Sequence, residues 1–367
     1  MSTNLRKPAF VLLAALVALL SSGSAQAQQI GFVRDDKPTT AGLITPSAAF
    51  SHSSSGGAIA IERHSKGIYM VRFTNLGNGL DSNLMVDAYG TGSNFCVVGG
   101  WGSPNGTDVT ANVECFGHGG ARADTGFTAL YQARMPSDAT KPTVAFVLAD
   151  QPTTATYTPN ANFQYNPAGA MNSVARLATG TYNVKLPDLK VLGGTVLVAG
   201  YGGPVHCQET SWDLYGVGNA VHGTEVKVNC TDIAGAPIDA EFSLVYSISE
   251  TAGYAAASAN GGAIFASKPG ATTEYSVSNR RSIPIDGETM YAEETEKGVY
   301  AWTMNVEDTW TNSTVLATAY GAPGNYCKTQ SWESTPTITT VLVGCFDAAG
   351  HPAKTRFTAT FQLAGVH

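Results

Sequence analysis

The chain has 367 residues, of which 43% are hydrophobic and only 13% are charged, and its formal net charge is −7. This charge argues against nucleic acids and anionic membrane surfaces as partners, because both attract proteins through a basic face. The length is sufficient for two or three domains, each with its own core.

The first 27 residues have the features of a secretory leader. Arg6 and Lys7 precede an apolar run from Ala9 to Leu20, and small residues then lead to an A-x-A site at Ala25 to Ala27. This order is typical of a cleaved signal peptide. The apolar run is shorter than the roughly 20 residues that a membrane-spanning helix needs. We therefore predict secretion to the cell surface, the periplasm or the medium, without membrane insertion.

The rest of the chain is an internal triplicate, in which each copy carries the same landmarks in the same order. The copies open with Phe32, Phe146 and Phe265, each followed by a proline. The later landmarks are Gly67-x-Tyr69, Gly180-x-Tyr182 and Gly298-x-Tyr300, then Tyr89-Gly90, Tyr201-Gly202 and Tyr320-Gly321, and finally Phe127, Phe242 and Phe357. We therefore divide the chain into a leader at 1–27 and modules at 28–140, 141–258 and 259–367.

Short runs rich in β-branched and aromatic residues recur throughout the modules. Tyr69 to Phe73 and Arg356 to Phe361 alternate apolar and polar residues, and clusters of Gly, Asn, Asp and Pro separate such runs. This pattern is typical of strands in a sandwich or barrel. Module length and the paired cysteines favour a sandwich, so we predict an all-β protein of three tandem immunoglobulin-like β-sandwich modules.

Each module contains one pair of cysteines. An exported chain meets oxidising conditions, and the repeat selects one pairing within each copy: Cys96 with Cys115, Cys207 with Cys230, and Cys327 with Cys345. One pair per module lacks the further ligands that zinc requires, so we predict disulfides and no metal site.

A tryptophan follows the first cysteine of each pair at the same distance, as Trp101, Trp212 and Trp332. The odd spacing places cysteine and tryptophan on opposite faces of a regular strand, unless a bulge or turn intervenes. Two interpretations remain open. The tryptophans are either core anchors or exposed platforms that stack on a ligand such as a sugar ring.

Catalytic motifs are not found in the sequence. The strings G-x-S-x-G, H-E-x-x-H and the P-loop do not occur, so we predict no catalytic residues and no cofactor. Acids near tryptophans suggest a weaker alternative, glycoside hydrolysis, through Glu209 and Asp213 beside Trp212 or through Glu307 and Asp308 near Trp302 and Trp310. Asp232 or residues 286–288 offer oxygens for calcium, but no calcium-loop motif supports this.

The combined string of Gly-x-Tyr, Tyr-Gly, Cys-x4-Trp and Cys-x4-Gly resembles repeat modules in uncharacterised secreted bacterial proteins. The resemblance covers essentially the whole mature chain, and it implies export and modularity but no activity. Residues shared by all copies are best explained by folding. We therefore expect a binding or structural protein that engages polysaccharide, a cell-envelope component or another copy of itself, with avidity from repeated weak sites. The alternative is a hydrolase with a site in one diverged module.

Overall fold

The structure is a computed structural model that describes residues 29–133, 144–191, 193–247, 261–277, 281–284, 289–305 and 311–364. The predicted leader and both predicted module boundaries lie outside these residues. The described part of the chain forms 26 β-strands and two short 3-10 turns, at Ala48–Phe50 and Ala161–Phe163. The prediction of an all-β protein with three sandwich modules and one disulfide in each is confirmed.

The strands of module 1 are β1 (Ile30–Asp35), β2 (Gly42–Ile44), β3 (Ser51–Ser53), β4 (Ile59–Ser65), β5 (Ile68–Phe73), β6 (Ser82–Tyr89), β7 (Phe95–Gly102), β8 (Val109–Phe116) and β9 (Gly126–Ala133). Module 2 contains β10 (Val144–Ala149), β11 (Thr156–Tyr157), β12 (Gln164–Tyr165), β13 (Ser173–Ala178), β14 (Thr181–Pro187), β15 (Thr195–Tyr201), β16 (His206–Val217), β17 (Ala220–Thr231) and β18 (Glu241–Ser247). Module 3 contains β19 (Gly261–Ala266), β20 (Tyr275–Ser276), β21 (Met290–Glu296), β22 (Val299–Asn305), β23 (Ser313–Tyr320), β24 (Tyr326–Ser334), β25 (Ile338–Phe346) and β26 (Arg356–Leu363).

Each module packs two antiparallel layers against each other. In module 1 one layer has the order β3-β1-β9-β6 and the other has the order β2-β4-β5-β8-β7. We name the first the Tyr layer, because β6 ends at Tyr89, and the second the Cys layer, because β7 and β8 carry the disulfide. The module shares two packed antiparallel sheets with immunoglobulin domains. Its strand pairing is its own, because the first strand, β1, pairs antiparallel with the last, β9.

The Gly-x-Tyr landmark is held in place by a carboxylate. Asp124 accepts two hydrogen bonds from the Arg63 guanidinium (2.9 and 2.8 Å), one from the Gly67 amide (2.9 Å) and one from the Tyr69 hydroxyl (3.0 Å). The Arg63 contact holds the pKa of Asp124 down at about 2. In module 2, Asp239 makes the same contacts with Arg176, Gly180 and Tyr182.

Module 3 reverses the charges of this cluster. Glu294 stands four residues before Gly298, where the other copies have arginine, and Lys354 stands where they have aspartate. The Glu294 carboxylate accepts from the Gly298 amide (3.0 Å) and pairs with Lys354 Nζ (3.0 Å). A comparison that requires the same residue in all three copies misses this ion pair, although its two positions are shared.

The three modules form a closed ring, and not a row. Each of the three large sheets joins the Cys layer of one module to the Tyr layer of the next through two parallel strands. The joined strands are β7 with β15, β16 with β23, and β24 with β6, at the residue pairs Val98 and Tyr201, Glu209 and Tyr320, and Thr329 and Tyr89. These positions are equivalent in the repeat, so the ring has approximate threefold symmetry. We call the contacts the 1–2, 2–3 and 3–1 junctions.

The Tyr-Gly landmark belongs to the junctions. The amides of Gly202, Gly321 and Gly90 donate to the carbonyl oxygens of Val98, Glu209 and Thr329 in the neighbouring module, at 2.9, 3.1 and 3.1 Å. The three glycines have φ values of 74°, 74° and 101°, in the left-handed region that other residues rarely adopt. The repeated glycine is therefore explained by the backbone turn that delivers this hydrogen bond.

The sequence alignment of Phe265 with Phe32 and Phe146 is wrong by two residues. Phe32 lies opposite Leu130, and the equivalent place opposite Thr360 is taken by Ala263. Phe265 instead packs against Trp212, with ring centroids 5.6 Å apart. Module 3 thus supplies from β19 an aromatic contact that modules 1 and 2 supply from their 3-10 turns.

The reversed ion pair of module 3 can be tested by restoring the arrangement of modules 1 and 2. Glu294→Arg places a second cation beside Lys354, and Lys354→Asp places a second carboxylate beside Glu294. We expect each single variant to lower the free energy of unfolding by about 1–3 kcal/mol, measured by urea denaturation. The double variant should recover most of the loss, because an Arg and Asp pair fits these positions elsewhere. A double variant as unstable as the sum of the singles would contradict the equivalence.

Candidate functional site

Each disulfide links two adjacent strands of its module. The bonded pairs are Cys96–Cys115, Cys207–Cys230 and Cys327–Cys345, and their Cα atoms are 4.0, 4.1 and 4.0 Å apart. In every pair the two cysteines lie directly opposite each other across the strands. The described part of the chain has no free cysteine. Three such bonds are compatible with an oxidising location such as the periplasm or the medium.

The repeated tryptophans lie at the junctions between modules. A register shift between cysteine and tryptophan occurs in all three copies, which explains the odd spacing. Trp212 and Trp332 are 2% and 6% exposed, and Trp101 is partly buried against the core of module 1. The Trp212 and Trp332 indoles have no free face for a sugar ring, whereas Trp101 stays partly exposed. Trp212 and Trp332 therefore pack as core residues, and their predicted ligand-stacking role does not fit the structure.

Each tryptophan contacts aromatic residues of the next module. The tyrosines of the Tyr-Gly landmark approach edge-on, with centroid distances of 6.3 Å for Trp101 and Tyr201, 5.5 Å for Trp212 and Tyr320, and 5.5 Å for Trp332 and Tyr89. Such contacts add about 0.5–1.5 kcal/mol each beyond the area they bury. The tryptophan position therefore serves assembly of the ring.

The paired acids beside Trp212 do not form a catalytic site. Glu209 is fully buried at the 2–3 junction, where its Oε1 is hydrogen-bonded to the Thr358 hydroxyl (2.6 Å), whereas Asp213 lies on the surface. A glycoside hydrolase needs two carboxyl groups that face one substrate. Glu307, Asp308 and Trp310 lie outside the described residues, as do residues 286–288 that were considered for calcium. In the described part of the chain, no group of three or more His, Cys, Asp or Glu residues could hold a metal ion.

The strands that carry the first cysteine of each module, β7, β16 and β24, begin around the axis of the ring. Phe95, His206 and Tyr326 occupy the same position, just before the first cysteine. The His206 ring lies 4.2 Å from Phe95 and 4.3 Å from Tyr326, stacked on the latter. Burial lowers the pKa of His206 to about 3, so its imidazole is neutral in the folded protein.

A small cavity of about 50 Å³ lies at this axis. The position after the first cysteine, occupied by Val97, Gln208 and Lys328, contributes to its lining, as does Asp87 of β6. Lys328 is 1% exposed, and its Nζ donates to the Asn94 carbonyl oxygen (3.1 Å). Both amide atoms of Gln208 and Nε2 of His206 are buried without a hydrogen-bond partner among the described residues.

Asp87 anchors the 3–1 junction from the wall of this cavity. Its Oδ2 accepts from the Thr329 amide (2.9 Å), the Thr329 hydroxyl (2.8 Å) and the Ala317 amide (3.0 Å). Burial nevertheless raises the pKa of Asp87 to about 7, and it lowers the pKa of Lys328 to about 8. The two groups also interact electrostatically: the charge of Lys328 lowers the pKa of Asp87, and the charge of Asp87 raises the pKa of Lys328, each by less than burial shifts it.

A second, larger cavity of about 310 Å³ lies open on module 1. We call it the module 1 groove, and its lining comprises Thr45, Pro46, Ala48, Ser51, His52, Ser53, Gly56, Gly57, Ile59 and Asn312. Asn312 belongs to module 3, so the ring brings two modules to this groove. None of the lining residues is an Asp, Glu, Lys or Arg.

Module 2 carries longer side chains at two of the equivalent positions. Gln164 and Asn166 stand where module 1 has Ser51 and Ser53. The Gln164 amide donates to the Pro159 carbonyl oxygen (2.7 Å), and the Asn166 amide donates to that of Pro187 (2.8 Å). The short serines of module 1 cannot span these distances, which explains the groove.

The sequence predictions include neither the groove nor the axial residues. Both are differences between copies, whereas the landmarks are the residues that the copies share. A signal was available at the axis, because His206, Gln208 and Lys328 flank cysteines that are identical in all copies.

Glu209 gives a prediction about pH. Burial raises its pKa well above the ordinary value, so this carboxyl stays protonated to a higher pH in the folded protein than in the unfolded chain, where it ionises above about pH 4.3. The stability that depends on Glu209 is therefore lost as pH rises from there toward its pKa in the folded protein. Glu209→Gln should raise the melting temperature at pH 8 and change it little at pH 4.5, measured by circular dichroism. The control is Asp213→Asn, which removes an exposed carboxylate and should change the melting temperature little at either pH. An equal change in the melting temperature of Glu209→Gln at pH 4.5 and pH 8 would contradict the argument.

Comparisons with known proteins assign no function to the chain. No protein-family model matches the chain, and no curated protein is similar to it. In the described part of the chain, no helix is long and apolar enough to cross a membrane.

Proposed function

We propose that the protein is a secreted or surface-associated binding protein that holds an uncharged segment of polysaccharide, or of a similar envelope polymer, in the module 1 groove. The observation that carries this proposal is the composition of the groove lining. Thr45, Ser51, Ser53, His52 and Asn312 line the groove, without a charged side chain. The Ser51 hydroxyl donates to the Ser47 carbonyl oxygen and Ser53 bonds to Ser55, so both oxygens keep acceptor capacity. Hydroxyl, imidazole and amide groups are suited to exchange hydrogen bonds with sugar hydroxyls.

The size and the apolar parts of the groove also support a saccharide. Its volume of about 310 Å³ is at the lower end of the range for ligand pockets. Pro46 and Ile59 offer apolar surface for the C–H face of a sugar ring. The groove lies on module 1, so binding in this proposal does not rely on avidity from the three tryptophans.

The leader-like segment and the disulfides support secretion as the setting for this role. Closure of the ring would hold β3 and Asn312 in a fixed relation, because they come from different modules. A preformed site loses less conformational entropy when it binds. The ring thus fits a binding role better than a chain of independently mobile modules would.

A sedimentation assay tests the proposal. Mature protein is mixed with insoluble polysaccharides and cell-envelope fractions, and the bound fraction is compared with that of Ala48→Phe, which places a ring in the groove. We expect binding by the unmodified protein and at least about a tenfold weaker apparent affinity for the variant, which corresponds to about 1.4 kcal/mol.

The matched control is Ala161→Phe. Ala161 is also exposed and begins the equivalent 3-10 turn in module 2, and it is not part of the module 1 groove. Equal binding by both variants would contradict a role for the groove. Soluble sugars released in the same tubes would contradict a binding role alone and favour the hydrolase alternative.

A further inference from the structure

The axial cavity is chemically different from the groove and plays no part in the proposed function. Its three equivalent positions after the first cysteine carry Val97, Gln208 and Lys328, so polar groups occupy places that an apolar side chain fills in module 1. A buried amide without partners costs about 1–3 kcal/mol. A cavity beside such groups is suited to a bound species that satisfies them.

The free hydrogen-bonding capacity around the cavity includes several donors. Lys328 Nζ has three hydrogens, and among the described residues it donates one of them to the Asn94 carbonyl oxygen. Neither Nε2 nor Oε1 of Gln208 has a partner among the described residues, so this amide can turn its Nε2 donor toward an anion, and Nε2 of the neutral His206 ring can carry its proton. Apolar groups such as Val86 and Val198 complete the wall. Two neutral donors beside a buried cation are suited to an anion.

Size limits the class of anion. The volume of about 50 Å³ exceeds the roughly 10–15 Å³ that one water molecule needs, but it is far below that of the module 1 groove. We propose that the axial cavity binds a small monovalent anion of the halide class, held by Lys328 Nζ, Gln208 Nε2 and His206 Nε2. The anion lies on the axis of the ring, between strands of different modules.

The charge state of the cavity sets the pH dependence of this site. The titratable groups in its lining are Asp87 on β6, His206 on β16, and Tyr326 and Lys328 on β24. An anion is repelled by ionised Asp87 and attracted by protonated Lys328. Binding is therefore strongest below about pH 7, where Asp87 is protonated, and weakens as pH rises through the pKa values of Asp87 and Lys328.

Thermal unfolding of the full mature chain tests the site in solution. Melting temperatures are compared in sodium chloride and in sodium gluconate at equal ionic strength, because gluconate is too large for the cavity. We expect chloride to raise the melting temperature by about 2–4 °C at pH 5.5 and by less at pH 8.5. The gain should vanish in Lys328→Met and shrink in Gln208→Leu, and it should persist in Lys227→Met, which removes an exposed lysine of β17.

Crystals grown in bromide at pH 5.5 provide the direct measurement. An anomalous peak of bromine in the axial cavity would support the site, and ordered water there without such a peak would overturn it. A chloride gain of equal size in Lys328→Met would also overturn it. Neither result depends on polysaccharide binding, so failure of this inference is distinguishable from failure of the proposed function.

Discussion

The structure depends on the parallel contact between two strands of neighbouring modules. One strand carries the first cysteine of its module (β7, β16 or β24), and the other ends in the Tyr-Gly landmark of the next module (β15, β23 or β6). At each junction the two strands pair at a single register position, and one amide of the Tyr-Gly turn donates across it. Such a short contact needs support from side chains. The buried tryptophan and the incoming tyrosine supply it, which is why the Cys-x4-Trp and Tyr-Gly landmarks repeat together.

The junctions share a backbone geometry but differ in charge. At the 2–3 junction Arg281 lies over Trp212, and at the 3–1 junction Arg34 lies over Trp332 and Phe50. The 3–1 junction also contains Asp87 and is the contact between modules that are not consecutive in the chain. Buried charges are costly when a partner is lost. The charged contacts therefore make correct closure of the ring more specific than apolar packing alone would.

Features shared by the copies could be predicted from the sequence, and features set by assembly could not. Strands and cysteine pairing follow from local periodicity and from the repeat. The environment of Trp212 could not be decided, because its aromatic neighbours Phe265 and Tyr320 belong to the next module. The cluster at Asp124 was missed for another reason, since Glu294 and Lys354 preserve the interaction with opposite signs.

Triplication leaves some positions free to diverge, and both candidate sites occupy such positions. The backbone turn and the tryptophan–tyrosine contact of each junction are common to all copies, whereas neighbouring positions differ between them. In module 1, serines in place of Gln164 and Asn166 open a groove. At the axis, Gln208 and Lys328 replace an aliphatic side chain and line a polar cavity. A symmetric ring of three copies thereby acquires two asymmetric sites without a change in its folding residues.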